Sequence, residues 1–261
     1  MSSTRPAIPE AFKRILRQEA YFGCVLCGSP IIEYHHIIPF HKVKKHEKNN
    51  LVILCPEHHH RANCVEIFEE IVINAKKNPF NKKNNIAKKD FFLGKFNDII
   101  VDAGGNRFIN VKNIFVVDDT SLLKLEADCD GWGVITANFY NEHNKLIAQI
   151  IRNEWITYDI KELWDVRYSP GQLRINEKRG KIFLELRVKH NTVEIRTDMY
   201  FKGKCFSLKP NETILNGGVN MIKNITFQGD NRDDQCGLRM SSVKGEFGFS
   251  IFDYLKSKAF K

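Results

Sequence analysis

The sequence contains no long apolar run. No stretch of 18 or more apolar residues occurs in its 261 residues, which is about the length that a membrane-spanning helix needs. We therefore expect no membrane partner. The first ten residues also lack the apolar core of a secretory signal. A cytoplasmic location is the resulting expectation.

The cysteines do not form an even, regularly spaced set. There are seven of them, spread unevenly along the chain, which argues against a disulfide framework. Three of them lie close to histidines, a combination typical of metal binding. The other four are expected to be small, buried, apolar residues, and they are Cys64, Cys129, Cys205 and Cys236.

Negative charge is scarce in the first third of the chain. The first 95 residues hold 16 Lys and Arg against 9 Asp and Glu, whereas the remainder holds 24 against 22. The formal net charge is +9. A basic excess suits a polyanionic partner, and its position favours the N-terminal third as the part that binds it.

Composition divides the chain into three regions. Residues 1–75 mix short helical and strand patterns, and residues 76–95 form a basic linker that is either a solvated connector or a phosphate-contacting arm. Residues 96–261 show short β-strands, which would serve recognition, sensing or assembly. We predict an α+β chain whose mostly antiparallel β domain is a sandwich or a barrel, with a β-solenoid as the alternative.

The first region is predicted to contain a helix, two strands and a second helix. Proline opens the first helix over residues 9–20, and the strands cover residues 31–38 and 51–54. The second helix begins at Pro56 and continues through Val72 as one amphipathic element.

Two short metal-binding motifs lie in this region, separated by 27 residues. Cys24-x-x-Cys27 and Cys55-x-x-His58 supply four nitrogen and sulfur ligands, the set that zinc prefers in a tetrahedral structural site. The alternative is a redox or disulfide CxxC, but a thioredoxin-like βαβ setting is absent. Because so small a unit has little core, a zinc ion here would contribute folding energy directly.

Histidine is concentrated in the same region. Seven of the nine histidines lie between His35 and His60, which indicates a reactive site rather than separate structural histidines. His35 and His36 are adjacent on a predicted strand, where successive side chains point to opposite faces. The two residues are therefore expected to have different roles unless the strand is distorted.

Three stretches of this region resemble the HNH endonucleases, which have a ββα-metal fold: Cys24-Val-Leu-Cys27, Glu33-Tyr-His-His36-Ile-Ile-Pro39 and Asn50-Leu-Val-Ile-Leu-Cys55-Pro-Glu-His-His59. That family shows CxxC, then Asp-His-Ile-x-Pro, then Asn-Leu-x-x-Leu-Cys-x-x-Cys-His. The resemblance covers about residues 9–75, and no family resemblance is found past Lys95. It implies a zinc-stapled HNH domain over residues 1–75 that hydrolyses DNA with a divalent metal.

The resemblance implies a role for each matching residue. His36 takes the place of the general base that activates water, and Asn50 takes the place of the residue that orients this base. His35 and His59 match the ligands of the catalytic metal, with Asn63 as a weaker third ligand. The structural zinc ligands are Cys24, Cys27, Cys55 and His58.

The sequence departs from the family pattern at two positions. His35 stands where the family most often has Asp, and a neutral ligand attracts hard Mg²⁺ less than it attracts Mn²⁺, Ni²⁺ or Zn²⁺. The candidate catalytic metals are Mg²⁺, Mn²⁺ and Ni²⁺. His58 replaces the usual fourth Cys, a change that zinc tolerates. His46, in a Lys-rich loop, is expected to be solvated or to touch phosphate.

The leading functional hypothesis is a metal-dependent DNA endonuclease with a role in restriction or phage defence, the role resting on resemblance alone. Two alternatives stay open: a non-catalytic zinc-dependent nucleic-acid-binding protein, and an HNH nuclease acting on RNA or structured DNA. A homodimer is also left open. The basic residues expected to hold the DNA backbone, in a salt-sensitive and largely sequence-independent way, are Lys42, Lys44, Lys45 and Arg61.

Overall fold

The chain folds as an α+β protein, as the sequence predicts. The computed structural model describes residues 6–91, 93–95, 100–215, 220–230 and 236–240. Most of the regular structure in these ranges is β-strand, with a few short helices near the N-terminus. None of the helices in these ranges has the length and apolar character needed to cross a bilayer. The chain divides into two compact units, which are described separately.

The first unit begins with a helix and a two-stranded antiparallel sheet. Helix α1 spans Glu10–Glu19, strand β1 spans Glu33–His36 and strand β2 spans Leu51–Leu54. Helix α2, Phe40–Val43, and a 3-10 turn, Lys48–Asn50, lie in the connection between the strands. The connection therefore has structure of its own, and β1 ends at its two histidines.

Two helices follow β2 where the sequence predicted one. Helix α3 spans Pro56–Asn63 and helix α4 spans Glu69–Lys77. The chain turns at Val65, whose φ of 60° is unusual for a β-branched residue. Val65 is exposed and Val72 is buried, so the predicted single apolar face does not exist. The one-helix prediction is wrong because the apolar spacing continues across the turn.

The core of the first unit lies around β2. All four of its residues are buried, and α1, α3 and α4 all contact it. An uninterrupted apolar run is typical of a strand covered on both faces. The sheet is therefore a thin central layer, and its helices provide most of the surrounding core.

A buried ion pair connects α1 to strand β11, Asp165–Ser169, within the first unit. Arg17 Nε and Nη2 donate to the two carboxylate oxygens of Asp165, each at 2.8 Å. The side chains are only 6% and 3% exposed. Arg17 Nη1 also donates to the Tyr34 hydroxyl on β1 at 2.7 Å. Residues 158–170 and 175–180 thus complete the first unit, although the sequence assigned them to the C-terminal domain.

Residues 76–95, which the sequence treats as a linker, contain regular structure. The end of α4 is followed by a 3-10 turn, Phe80–Lys82, and strand β3, Ala87–Asp90. The side-chain amide of Asn81 is buried and donates to the backbone oxygens of Tyr21 and Gly28. This part of the stretch therefore packs against residues 20–28, which follow α1 and which we call the N-terminal turn.

The second unit contains six strands that pair into one open sheet: β6 (Asn113–Val117), β7 (Thr120–Ala127), β8 (Gly133–Tyr140), β9 (Leu146–Ile151), β10 (Glu154–Thr157) and β19 (Cys236–Met240). Their spatial order is β19-β6-β7-β8-β9-β10. Neighbouring strands are antiparallel, except that β19 runs parallel to β6.

The other strands that the structure describes are β4 (Ile100–Ala103), β5 (Asn106–Ile109), β12 (Gln172–Lys178), β13 (Lys181–Lys189), β14 (Thr192–Phe201), β15 (Lys204–Lys209), β16 (Glu212–Leu215), β17 (Asn220–Ile222) and β18 (Thr226–Gln228). Strand β14 pairs with β13 on one edge. On its other edge it pairs with β4 near its start and with β15 near its end. The strands that pair through β14 form a second sheet. Neither this sheet nor the one around β7 and β8 closes into a barrel over the described residues, so the barrel alternative is wrong. The sandwich and the solenoid stay predictions.

The four cysteines predicted to be buried have different environments. Cys236 is buried and Cys205 is half-buried, but Cys64 and Cys129 are exposed. The prediction is wrong for the last two because each lies outside the regular elements, Cys64 after α3 and Cys129 between β7 and β8.

Replacing Arg17 by Met should strongly destabilise the first unit. It would leave the Asp165 carboxylate buried beside Arg167 alone, and loss of one partner of a buried ion pair typically costs about 3–5 kcal/mol. Thermal unfolding followed by circular dichroism would measure the change.

Two further variants separate charge from packing in that experiment. The double variant R17M/D165L should lose less stability than R17M, because no charge is left buried. Lys13→Met, which removes an ion pair with the exposed Glu10, should have little effect. A Tm for R17M equal to that of Lys13→Met would contradict the anchoring role of Arg17.

Candidate functional site

Four metal-binding side chains of the first unit converge on one point. The ligand atoms of Cys24, Cys27, Cys55 and His58 all lie within 4.8 Å of one another. His58 Nδ1 is 3.4 Å from the Sγ of Cys24 and 3.2 Å from that of Cys55, and the Sγ atoms of Cys27 and Cys55 are 3.8 Å apart. Across the described ranges this is the single such group of His, Cys, Asp and Glu. The four predicted ligands are thus brought together.

Local backbone geometry places both halves of this cluster. Gly28 closes the first turn by donating its N–H to the Cys24 carbonyl at 2.8 Å. Its φ is 75°, and a Cβ there would lie 2.2 Å from the Asn81 side chain, so only glycine fits. Cys55 caps α3, where its Sγ accepts from the His58 N–H at 3.5 Å. The Cys-x-x-His spacing therefore corresponds to one helical turn.

The cluster's sulfur atoms hold their protons unequally. A hydrogen bond from Cys27 lowers the pKa of Cys24. The same hydrogen bond, together with burial, raises the pKa of Cys27, and burial raises the pKa of Cys55. None of the three forms a disulfide. Since thiolates are the metal-binding form of cysteine, a bound cation would replace these shared protons.

A cavity of about 440 Å³ opens between β1, α2 and α3, and we call it the histidine groove. Four residues predicted for the catalytic site line it: His35, His36, His59 and Asn63. His35 and His36 are both largely buried at the end of β1. Both therefore reach the same cavity, although successive strand residues were expected to point to opposite faces. They contact different neighbours, and their separate roles stay a prediction.

His35 and His59 face each other in the histidine groove. Their ring centroids are 5.1 Å apart, with the rings nearly perpendicular. Burial, with a smaller contribution from the charge of His59, lowers the pKa of His35 to about 4. His35 is therefore neutral near pH 7, which is the form that binds metals.

Glu33 is a site residue that the sequence analysis missed. Its Oε2 lies 2.6 Å from His59 Nδ1, so this nitrogen carries the hydrogen and Nε2 is left for a metal, an arrangement common behind metal-binding histidines. The available signal was its position two residues before His35 on one strand, which places both side chains on the same face.

His36 contacts His46, which the sequence analysis did not place in the site. His36 Nε2 is 3.1 Å from His46 Nδ1, and His46 Nε2 is 2.7 Å from the Pro6 carbonyl oxygen. The Phe40 ring packs against both imidazoles, with centroid distances of 5.5 and 4.9 Å. His46 is only half-buried, but it makes tertiary contacts that no local pattern reveals. A contact with phosphate stays a prediction.

Asn50 holds the backbone immediately after His36 through hydrogen bonds to Ile38. Its Oδ1 accepts from the Ile38 N–H at 2.7 Å and its Nδ2 donates to the Ile38 carbonyl at 2.8 Å. The Ile37 N–H donates to the Asn50 carbonyl at 2.9 Å. Asn50 is itself buried, so it fixes the chain immediately after His36 in a single conformation.

Lys76 holds the 3-10 turn that carries Asn50. Its Nζ donates to the carbonyl oxygens of Lys48, Asn49 and Leu51 at 2.9, 3.1 and 2.7 Å. Burial lowers the pKa of Lys76. This lysine belongs to the stretch for which the sequence left a phosphate-contacting role open, and in the structure it contacts the backbone instead.

The surroundings of the predicted DNA-backbone residues differ from one residue to another. Arg61 is paired with Glu66 at 2.8 Å and Lys45 with Glu47 at 2.5 Å. The side chains of Lys42 and Lys44 are exposed, and within the described part of the chain they form no ion pair. These two lysines are therefore the freest cations of the loop beside the histidine groove.

Comparison with known proteins identifies the same region of the chain. Residues 24–63 match the family model of the HNH endonucleases, and the match runs from the first cysteine of the cluster to the end of α3. Searches of the curated proteins and of the solved structures gave no match. Residues 24–63 are therefore an HNH endonuclease domain, whose Cys and His cluster can hold a metal ion.

Proposed function

We propose that this chain is a metal-dependent endonuclease that hydrolyses DNA phosphodiester bonds in the histidine groove. The observation that carries the proposal is the placement of His35, His36 and His59 around one groove of an HNH domain. Such an arrangement would allow one imidazole to accept a proton and two others to bind a metal ion beside the same phosphate.

In the proposed reaction, His36 acts as the general base. It takes a proton from a water molecule, whose oxygen attacks the scissile phosphorus, and the bond from phosphorus to the 3′ oxygen breaks. A divalent cation held by His35 and His59, with Asn63 as a weaker third ligand, would bind the phosphate and neutralise the departing 3′ oxygen. Asn50 keeps the His36 segment in place through its two bonds to Ile38.

The ligands favour a softer catalytic ion. Two neutral imidazoles suit Mn²⁺ or Ni²⁺ better than Mg²⁺, which prefers oxygen ligands. Glu33 supplies a carboxylate, but it contacts the far nitrogen of His59, where it raises the basicity of that ligand and orients its ring. We therefore place Mn²⁺ and Ni²⁺ ahead of Mg²⁺.

For the cysteine cluster we propose structural zinc. With zinc–sulfur bonds of about 2.3 Å and zinc–nitrogen bonds of about 2.0–2.1 Å, a tetrahedral site has sulfur–sulfur edges of about 3.8 Å and sulfur–nitrogen edges of about 3.5 Å. The corresponding separations are 3.8 Å between Cys27 and Cys55, and 3.4 and 3.2 Å from His58 to Cys24 and Cys55. These three separations agree with a zinc site, and the four ligand atoms all lie within 4.8 Å of one another.

DNA would be held near the groove mainly by Lys42 and Lys44, since Lys45 and Arg61 are already paired with carboxylates. As functional regions we propose the HNH domain over residues 1–75, a basic linker over 76–95, and a part for recognition, sensing or assembly over 96–261, although residues 158–170 and 175–180 of the last region belong to the first compact unit. A cytoplasmic location and a role in restriction or phage defence stay predictions. The homodimer has no support among the described residues, and the proposal leaves it out.

His36→Ala should abolish cleavage while DNA binding survives. Loss of a general base typically lowers the rate by about 10²–10⁴-fold, and the substitution removes no predicted phosphate contact. Plasmid cleavage with Mn²⁺ and fluorescence anisotropy with a labelled duplex would measure the two properties. His143→Ala, at an exposed histidine of the second unit, is the matched control. Undiminished cutting by His36→Ala would reject His36 as the base.

Cys24→Ser and Cys55→Ser should each lose the metal and lower the Tm, because a structural zinc contributes to folding. We expect about one zinc per chain in the wild-type protein, measured by plasma mass spectrometry. Cys64→Ser changes an exposed cysteine outside the cluster and should retain the metal. Equal zinc content in all three variants would show that the cluster is not the zinc site.

Removing Lys42 and Lys44 together should weaken duplex binding and flatten its salt dependence. Each lost phosphate contact reduces the slope of log affinity against log salt by about 1, so K42A/K44A should lower it by about 2. The control K178A/R179A removes the same charge from two exposed residues of the first unit. If both double variants change the slope equally, the effect comes from net charge and not from this loop.

A further inference from the structure

A second cavity, of about 540 Å³, lies within the second unit, to which all of its lining residues belong. Three arginines line it, and we call it the arginine cavity: Arg107, Arg187 and Arg196. Its volume falls within the range of about 300–1,000 Å³ that is usual for small-molecule sites. The nuclease chemistry proposed for the histidine groove uses none of its residues.

Four charged side chains form a row across one face of the sheet beneath this cavity. The row crosses β13, β14, β4 and β5 through direct strand partners, in the order Arg187, Glu194, Asp102, Arg107. Residues directly opposite each other on neighbouring strands point to the same face of a sheet. The strand register therefore brings the two outer arginines of the row to one surface.

Arg196 belongs to the next row of the same face, two residues after Glu194 on β14. Glu185 lies directly opposite Arg196, but its carboxylate is bound by Arg187 at 2.9 Å and lies 3.8 Å from Arg174. Among the residues that the structure describes, Arg196 has no recorded hydrogen bond or ion pair. Its guanidinium is therefore available to an anion from outside the protein.

The Gly104–Gly105 turn forms the cavity wall beside Arg196. Strand β4 runs parallel to β14 and ends at Ala103, which lies opposite Ile195. The φ angles of the turn are 59° and 72°, and a Cβ on the first glycine would lie 1.9 Å from Thr213 Oγ1. Both conditions require glycine. The turn therefore contributes only backbone to this wall, and no side chain of the turn fills the space next to the guanidinium.

Asn106 fixes the position of this turn. Its buried side-chain amide donates to the Gly104 carbonyl at 2.9 Å and to Thr213 Oγ1 at 3.1 Å, and its oxygen accepts from the Ile225 N–H at 3.1 Å. The wall is therefore formed before any ligand arrives, which is usual for small-molecule sites.

Carboxylates hold the other two arginines in place. Arg107 donates from Nε and Nη2 to the two oxygens of Asp102, each at 2.8 Å, which leaves Nη1 outside this pair. Arg187 donates from Nη2 to Glu185. A guanidinium donates in a planar fork that matches phosphate oxygens, and a phosphate group has enough oxygens to accept from more than one arginine. The arrangement thus suits phosphate better than a single carboxylate.

We propose that the arginine cavity binds the phosphate group of a small phosphorylated molecule, of about the size of a mononucleotide, with Arg196 as the main anchor. The paired Arg107 and Arg187 add positive charge from fixed positions on the same face. This proposal does not rest on the nuclease function. It assigns a binding site to the β-rich part of the chain.

The test titrates the full-length protein, without added divalent metal, with inorganic phosphate and with each of the four ribonucleoside 5′-monophosphates. Phosphorus-31 NMR line broadening measures binding even when it is weak. We expect at least one of these probes to bind and its nucleoside, which lacks the phosphate, to bind far more weakly, as calorimetry would show. Binding of none of the probes at millimolar concentration would overturn the proposal.

Two variants locate the site. Arg196→Gln should weaken binding about 10- to 100-fold, the usual worth of a hydrogen bond to a charged group. Arg152→Gln, at an exposed arginine of the second unit outside this cavity, is the matched control. Thr226→Glu places a negative charge directly opposite Arg107 and should also weaken binding, whereas Thr226→Gln should not. Equal losses in Arg196→Gln and Arg152→Gln would overturn the proposal, because they would reflect net charge alone.

A labelled duplex without terminal phosphates separates a small ligand from the DNA backbone. We expect Arg196→Gln to bind this duplex as the wild-type protein does. If Arg196→Gln weakens duplex binding and no small probe binds, the cavity face contacts the DNA backbone and the proposal fails. DNA cleavage is not part of either readout, so the nuclease assignment is tested separately.

Discussion

The sheet that carries the histidine groove is too small to hold its side chains in place without help. It consists of β1 and β2, two antiparallel strands of four residues each, and an isolated pair of this size is marginal in water. Connections to other elements supply the missing rigidity. The cysteine cluster links the N-terminal turn to α3, Arg17 joins α1 to β1 and β11, and Lys76 clamps the turn before β2. The site therefore depends on contacts outside the sheet that carries it.

Helix α3 carries two adjacent histidines that lie at different sites. His58 belongs to the cysteine cluster, whereas His59 lines the histidine groove and contacts Glu33. Consecutive residues of a helix point about 100° apart, so one helix end can serve both sites. A metal bound by Cys55 and His58 would therefore also fix the orientation of His59. Loss of that metal is expected to impair both folding and catalysis.

The sequence predicts the parts of the site whose spacing is local. The Cys-x-x-Cys and Cys-x-x-His motifs and the two strands follow from local spacing, whereas the residues around the groove were named from the resemblance to the HNH endonucleases. Contacts between distant segments were not predictable in this way, such as Arg17 with Asp165 and His46 with Pro6. In the sequence, Lys76 is one of several lysines in a basic stretch. In the structure it donates hydrogen bonds to the backbone of the 3-10 turn before β2. The long apolar pattern around Val65 hid the break between α3 and α4, because residue spacing does not reveal a positive φ.

In the proposed reaction, water activated by His36 attacks phosphorus and expels the 3′ oxygen of a DNA strand. The most direct test incubates the full-length protein with supercoiled plasmid and Mn²⁺ in oxygen-18 water and analyses the ends of the nicks. We expect nicks that DNA ligase can reseal, with a 3′ hydroxyl and a 5′ phosphate that has gained oxygen-18 from the solvent. Nicks that end in 3′ phosphates, or intact plasmid with Mg²⁺, Mn²⁺ and Ni²⁺ alike, would contradict it.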